Sequence, residues 1–232
     1  FDRTTRRVGV NVRGEAHGRI ASGHLANWTM QMPGEHMAMN AAVAFVLAQW
    51  LGAEPTPAGA ALEHFEGLYR RLQHVGDVTT ASGNVRVFDD YGHHPTEVET
   101  TLRALRESEV KSGGRLICVF QPHQHSRTRH LLDEFAQSFS HADIVVVPHI
   151  YFVRDSEIER AKVSAADLVD RLRQRGVKAM HVYPFDAIVE QLMDICRSND
   201  VVVVMGAGPV WKVAHGFVES AAQIGTEAAA AV

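Results

Sequence analysis

Two short stretches of this 232-residue chain concentrate the side chains that could do chemistry. Asp89-Asp90-Tyr91-Gly92-His93-His94-Pro95 sets two carboxylates, a phenol and two imidazoles in a row. Pro95-Thr96 then opens a helix, whose unpaired first amides favour an anion. Carboxylates there suit a ribose diol, and Tyr91 offers a stacking surface. The plainer reading, a helix-capping turn with incidental histidines, stays open. The second stretch, His123-Gln124-His125-Ser126-Arg127-Thr128-Arg129, carries two guanidinium groups at another helix start. Arg127 and Arg129 stand two apart and so point in different directions. One can grip a carboxylate or phosphate while the other faces solvent. Ser126 has no local base or oxyanion hole and reads as an N-cap rather than a nucleophile. Adjacent His93-His94 cannot easily both face one ion, and His123, His125 and His130 fit no ligand template, so no metal site is expected. Gly206-Ala207-Gly208-Pro209-Val210-Trp211 lacks the third glycine of a dinucleotide fingerprint. It reads as a tight strand-to-helix turn approached closely by a ligand or neighbouring domain.

Those stretches need a scaffold, and the apolar pattern supplies one. Four bursts, residues 116–120, 144–147, 179–182 and 201–205, are short, nearly continuous and rich in Val or Ile, as strands buried on both faces of a parallel sheet are. Helical segments at 96–106, 128–140, 164–174, 186–197 and 210–219 separate them. A hairpin turned around Ala81-Ser82-Gly83-Asn84 precedes them. This alternation predicts an α/β fold with a doubly wound, mostly parallel, Rossmann-like sheet. Ligands of such sheets bind beyond the carboxyl ends of the strands, where both polar stretches and Gly206-Ala207-Gly208 fall. Residues 7–32 read instead as short strands broken by turns. A helix over 36–51 stops at Gly52, and a second opens at Pro55 with Leu62, Phe65 and Leu68 on one face. This first stretch offers only scraps of a sheet, so residues 1–68 read as an incomplete α/β domain before a regular one at 69–232, with 226–232 a frayed tail.

Composition narrows the classes. With 46% hydrophobic and 22% charged residues the chain is globular rather than disordered, and a net charge of -4 leaves no basic stripe for nucleic acid. No apolar run approaches the roughly 18 residues that would span a bilayer. Cys118 and Cys196 stand isolated in apolar surroundings, which favours a reduced, cytoplasmic setting over a disulfide framework. Phe1 opens the chain without an initiator Met, as a piece of a longer protein does.

The order of landmarks resembles one family, the Mur ligases. Asp89-Asp90-Tyr91-Gly92-His93-His94-Pro95-Thr96-Glu97 is similar to the signature opening their C-terminal domain, the L-alanine-adding member's in particular. Gly34-x-His36-x-x-x-Asn40-Ala41 resembles a segment late in the family's central, ATP-binding domain, and Arg70-Arg71 the pair at the domain junction. Phe120-Gln121-Pro122-His123 with Ser126-Arg127-Thr128-Arg129 resembles the amino-acid-binding loop, and Gly206-Ala207-Gly208 with Lys212 the last strand-helix turn. The resemblance implies ATP, with Mg²⁺, activating the carboxylate of UDP-N-acetylmuramate as an acyl phosphate that the amine of L-alanine attacks. It implies a nucleotide contacted by Asn40 and Asp90 with Tyr91 and His94 nearby, Arg71 reaching toward the terminal phosphate, and His123 and Arg127 on the amino acid.

Three departures qualify it. The family's first Asn after Gly-x-His is Met37, its basic residue after Pro-His is Gln124, and Pro209 and Trp211 replace smaller or polar residues. No Gly-x-x-x-x-Gly-Lys-Ser/Thr phosphate loop occurs, so phosphate and metal ligands are expected upstream, and this chain alone is not expected to catalyse ligation. Two other readings stand beside the first: a ligase recycling a preformed peptide onto the same sugar nucleotide, and a non-catalytic binding module of the same fold.

Overall fold

The computed structural model describes residues 1–3, 5–12, 23–80 and 83–230, with backbone alone for Val12 and 224–230. Two compact units divide the chain, Phe1–Leu68 and Tyr69–Val232.

In the first unit β1 (Arg7–Val12) pairs antiparallel with β2 (Gly23–Thr29). Val8, Val10 and Trp28 are buried, and the Trp28 ring lies 5.2 Å from that of Phe45 on α1 (Glu35–Trp50). Alanines and unbranched residues favour that helix. Gly52, at φ +100°, ends it as only glycine does without strain. Then α2 (Pro55–Glu63) starts on Pro55 and stops early. The expected face is therefore cut short: Phe65 and Leu68 lie beyond the helix and are exposed. The His64 Nδ1 within 2.8 Å of the Ala60 carbonyl, and Gly67 at φ +112°, turn the chain away instead.

The second unit is the α/β layer structure the pattern predicted. Its elements run β3 (Gln73–Thr80), β4 (Gly83–Asp90), α3 (Pro95–Ser108), β5 (Leu116–Phe120), α4 (His125–His130), α5 (Leu132–Gln137), β6 (Ile144–Val147), α6 (Glu157–Arg160), α7 (Ala165–Gln174), β7 (Lys178–His181), α8 (Phe185–Ile195), β8 (Val201–Met205) and α9 (Trp211–Ala230). They form one six-stranded sheet in the order β3-β4-β8-β5-β6-β7. Only β3 runs against its neighbour; every other pairing is parallel. Every residue of β5, β6 and β8 is buried. Ile117, Val119, Val202 and Val204 join Ile188, Leu192, Val213 and Phe217 of α8 and α9 in one apolar cluster. Burying each such side chain contributes roughly 1.5–3 kcal/mol.

Some expectations fail locally. Having a partner on one side only, β7 is an edge strand with Lys178 and His181 exposed, so it is not buried on both faces. The single helix expected over 128–140 is two, because Leu131 (φ -109°, ψ 21°) leaves helical geometry. The helix α6 was not foreseen. Backbone expected to fray from Thr226 stays helical through Ala230, in keeping with alanine's helix propensity. Ala81-Ser82, residues 13–22 of the stretch read as short strands, and residues 231–232 of the tail lie outside the described residues.

Candidate functional site

Strand register places the two polar stretches side by side. Asp90 and Phe120 both pair with Met205, so β4, β8 and β5 end level at one rim. The Gly206 amide donates to the Asp90 carbonyl at 3.1 Å and the Gln121 amide to the Met205 carbonyl at 2.9 Å. The His93 and His123 rings come within 6.0 Å, and His123 lies 5.7 Å from Tyr151. The strand order also explains the rim's shape. From β4 the chain crosses to β5, leaving the slot that β8 fills last, and such a switch in order opens a crevice. Gly206-Ala207-Gly208 floors it. A Cβ on Gly208 would stand 2.8 Å from Gln121 Oε1 and 3.0 Å from the Tyr151 ring, so a side chain fits here only if those neighbours give way.

The first stretch holds its own shape. Both oxygens of the buried Asp90 carboxylate accept backbone amides, from Leu72 at 2.8 Å and Gly92 at 2.7 Å. Burial pushes Asp90 up to about 6, and those two amides only partly offset it. Beside it, burial also raises Asp89, against the pull of Arg70, whose Nε lies 3.0 Å from Asp89 Oδ2. The Arg70 guanidinium also donates to the Gly206 and Gly208 carbonyls, tying the floor to β4. His94 Nδ1 caps α3 by accepting the Thr96 amide at 3.3 Å, while the Glu97 carboxylate accepts the amides of His93 and His94. Burial tends to raise Glu97, but those amides and His93 outweigh it and the carboxyl is held low. The capping reading is therefore correct for His94, whose Nδ1 is occupied. Tyr91 stays exposed, its ring 5.1 Å from the Arg70 guanidinium and 5.6 Å from that of Arg71.

The second stretch is left unfinished. Gln121 Oε1, His123 Nδ1, His125 Nδ1 and one terminal nitrogen of Arg127 are buried atoms without a hydrogen-bond partner among the described residues. Buried polar groups normally find partners, so a cluster of orphans points to a ligand. Burial, then the charges of Arg127, His93 and Arg154, hold the His123 imidazole below its ordinary range and hence neutral at pH 7. Arg129 turns the other way, its Nε 2.8 Å from Glu159. The two arginines do point in different directions, but Arg129 is held by Glu159 rather than turned to solvent as expected.

Of the residues singled out from sequence, the rim gathers Asp90, Tyr91, His94, His123 and Arg127 in one unit. Arg71 lies in that unit too, half-exposed and 3.8 Å from Glu97. Asn40 is exposed on α1 of the other unit, and Met37 is buried in that unit's core. Ser126 is not an N-cap. It sits inside α4, whose capping position is Gln124, and its amide donates to Asp155 at 2.9 Å. Sequence reasoning missed Arg70 and Asp155. Two adjacent arginines look alike until the fold turns one inward, and Asp155 acts from a loop with no regular pattern.

Residues 70–208 match the family described as Mur ligase, glutamate ligase domain. A UDP-N-acetylmuramate–L-alanine ligase of Mycobacterium sp. (strain JLS) is 41% identical over 231 residues, covering 89% of this chain and 46% of the relative. One from Caldanaerobacter subterraneus is 35% identical, covering 84% and 40%. Among solved structures, the UDP-N-acetylmuramate-alanine ligase of Thermotoga maritima superposes with a TM-score of 0.66 at 26% identity, over 84% of this chain and 40% of that one. A murein peptide ligase of Psychrobacter arcticus gives 0.59 at 26% identity, over 84% and 38%. The chain thus spans about half the length of the curated relatives it matches, or somewhat less. Landmark order, rim geometry and these likenesses agree: the chain belongs to the Mur ligase family.

Proposed function

We propose that this chain is the C-terminal portion of an ATP-dependent ligase that joins L-alanine to UDP-N-acetylmuramate by way of an acyl phosphate, in the cytoplasm. The cluster of buried, unpartnered polar atoms around His123 and Arg127, at the same rim as Asp90 and Tyr91, carries the reading. The names borne by the relatives support the substrates.

The residues fit a nucleotide in part. Tyr91 is exposed at the rim and suits stacking on a base, with the Arg70 and Arg71 guanidinium groups already over its ring. Asp90, with each oxygen already holding one amide, keeps a second lone pair on each for a ribose hydroxyl. Asn40 and His94 belong to this proposed nucleotide set, His94 through its remaining Nε2. Arg71 is paired loosely with Glu97 and is free to turn toward a phosphate. ATP supplies the phosphoryl group when bound. Ligands for Mg²⁺ and the phosphate loop are proposed to lie in the part of the relatives that this chain does not cover. His123 and Arg127 hold the amino acid, Arg127 on its carboxylate and the neutral imidazole of His123 near its amine. Catalysis then rests on positioning the amine and on neutralising charge.

A ligase recycling preformed peptide is the second reading, favoured by the likeness to the Psychrobacter arcticus murein peptide ligase. The test joins this chain to the upstream half of a related enzyme. Phosphate release is then assayed with UDP-N-acetylmuramate, ATP and either L-alanine or tripeptide. Release with L-alanine alone is expected; release only with tripeptide selects the second reading. No release with either, from a folded and ATP-binding fusion, leaves a non-catalytic binding module.

A further inference from the structure

We infer that Arg154 is the second cation of the amino-acid pocket, closing with Arg127 on a free α-carboxylate and so selecting an amino acid over a peptide. The inference rests on the reading of residues 121–127 as the amino-acid site. Residues 151–155 are zipped onto that stretch. His123 and Tyr151 form a parallel β-bridge, the Tyr151 amide donates to the Pro122 carbonyl at 2.9 Å, and the Gln124 amide donates to the Tyr151 carbonyl at 3.0 Å. Gln124 Nε2 reaches the Val153 carbonyl at 3.3 Å, and Asp155 accepts the Ser126 amide. Arg154 is thus fixed between two anchors.

Its backbone is strained, at φ +50°, a conformation that costs a non-glycine residue about 1 kcal/mol or more. Gln124 opposite it is strained alike, at φ +68°. Strain in two facing residues holds the loop in a shape the local sequence does not favour. What it presents is an exposed guanidinium with no hydrogen bond or ion pair among the described residues. That charge is felt at His123, as is that of Arg127, which has its own orphaned nitrogen. The nearby acid, Asp155, accepts the Ser126 amide and lies 4.0 Å from the His125 imidazole rather than pairing with Arg154. Two guanidinium groups thus stand on segments bridged at His123, neither ion-paired among the described residues, an arrangement that suits a carboxylate. A peptide joined through its first carboxyl would bring an amide there instead and leave both cations unanswered.

The whole chain is titrated with L-alanine, L-alaninamide and inorganic phosphate, following the His123 ring resonance, in wild type, Arg154→Gln, Arg154→Lys and Arg127→Ala. We expect L-alanine to bind well ahead of alaninamide, and Arg154→Gln to weaken L-alanine about tenfold while leaving alaninamide unchanged. Lysine should recover part of that loss. Equal weakening of both ligands by Arg154→Gln would overturn the assignment, and so would phosphate outcompeting L-alanine. A loss with Arg127→Ala but none with Arg154→Gln ends the inference and spares the pocket. No response of His123 to L-alanine up to its solubility limit ends both.

Discussion

The two polar stretches at this rim share a position and differ in how far each is completed from within. In residues 89–97 the carboxylates of Asp90 and Glu97 and the capping nitrogen of His94 are met by backbone amides, and Arg70 is held by Asp89 and two carbonyls. Among the described residues, four buried polar atoms of residues 121–127 meet no hydrogen-bond partner, against one, Asp89 Oδ1, in residues 89–97. The first is a frame whose residues are needed for folding and only then for binding. The second, on the proposed reading, is a receptor that a ligand completes. A polar residue at a strand end can belong to either kind, and only its partners tell which.

The largest expected effect tests the frame. Asp90→Ala strands two buried amides, at a cost of about 2–4 kcal/mol in urea unfolding at pH 5. The pH matters because Asp90 titrates near 6 when folded, against 3.8 ordinarily. A carboxyl raised on folding contributes most below its unfolded value and loses that contribution as pH rises through the folded one. The penalty of Asp90→Ala should therefore shrink between pH 5 and pH 7.5. A penalty that grows over that interval would mean the ionised form is the one the frame stabilises.

Next comes the floor. Gly208→Ala drives a methyl against Gln121 Oε1 and the Tyr151 ring, costing about 1–3 kcal/mol if the neighbours cannot shift. The change falls on the receptor side of the crevice, so it should also weaken L-alanine. A Gly208→Ala protein of unchanged stability and affinity would show that the turn has slack. The receptor itself should behave in the opposite sense to the frame. Arg127→Ala removes a buried nitrogen that has no partner, so stability should move by less than about 1 kcal/mol in either direction. L-alanine binding should fall much further than ATP binding in the fused enzyme. Destabilisation matching that of Asp90→Ala would erase the distinction between the two stretches.

Much of the frame could be read beforehand. The bursts at 116–120, 144–147 and 201–205 are the strands β5, β6 and β8, because burial on both faces leaves a run of Val and Ile that little else imitates. Their carboxyl ends located the rim, and the spacing of Arg127 and Arg129 gave their opposite directions. What stayed hidden depends on contacts distant in sequence. Arg70 and Arg71 are the same residue type, and only the β4-β8 crevice distinguishes them. Leu131 breaks a helix that composition alone continues. Asp155 replaces Ser126 in serving the start of α4 from 29 residues away, across a loop without periodicity. The Gly34–Ala41 pattern in the first unit, with Asn40, is legible only as a family resemblance.

The smallest effect is also the one that probes the receptor without a ligand. Burial, Arg127, His93 and Arg154 all hold the His123 imidazole below its ordinary range. A histidine depressed on folding leaves the unfolded chain binding protons first, so stability falls as pH drops through the ordinary value near 6.5. His123→Gln should flatten that part of the stability curve slightly, and Arg154→Gln should flatten it less, since Arg154 is the last of the four causes. L-alanine, by screening the two guanidinium groups with its carboxylate, should raise the His123 titration in wild type but not in Arg127→Ala. A His123 that titrates at its ordinary value in the free chain would mean the cations are already answered. The contrast between a finished stretch and an unfinished one would then be lost.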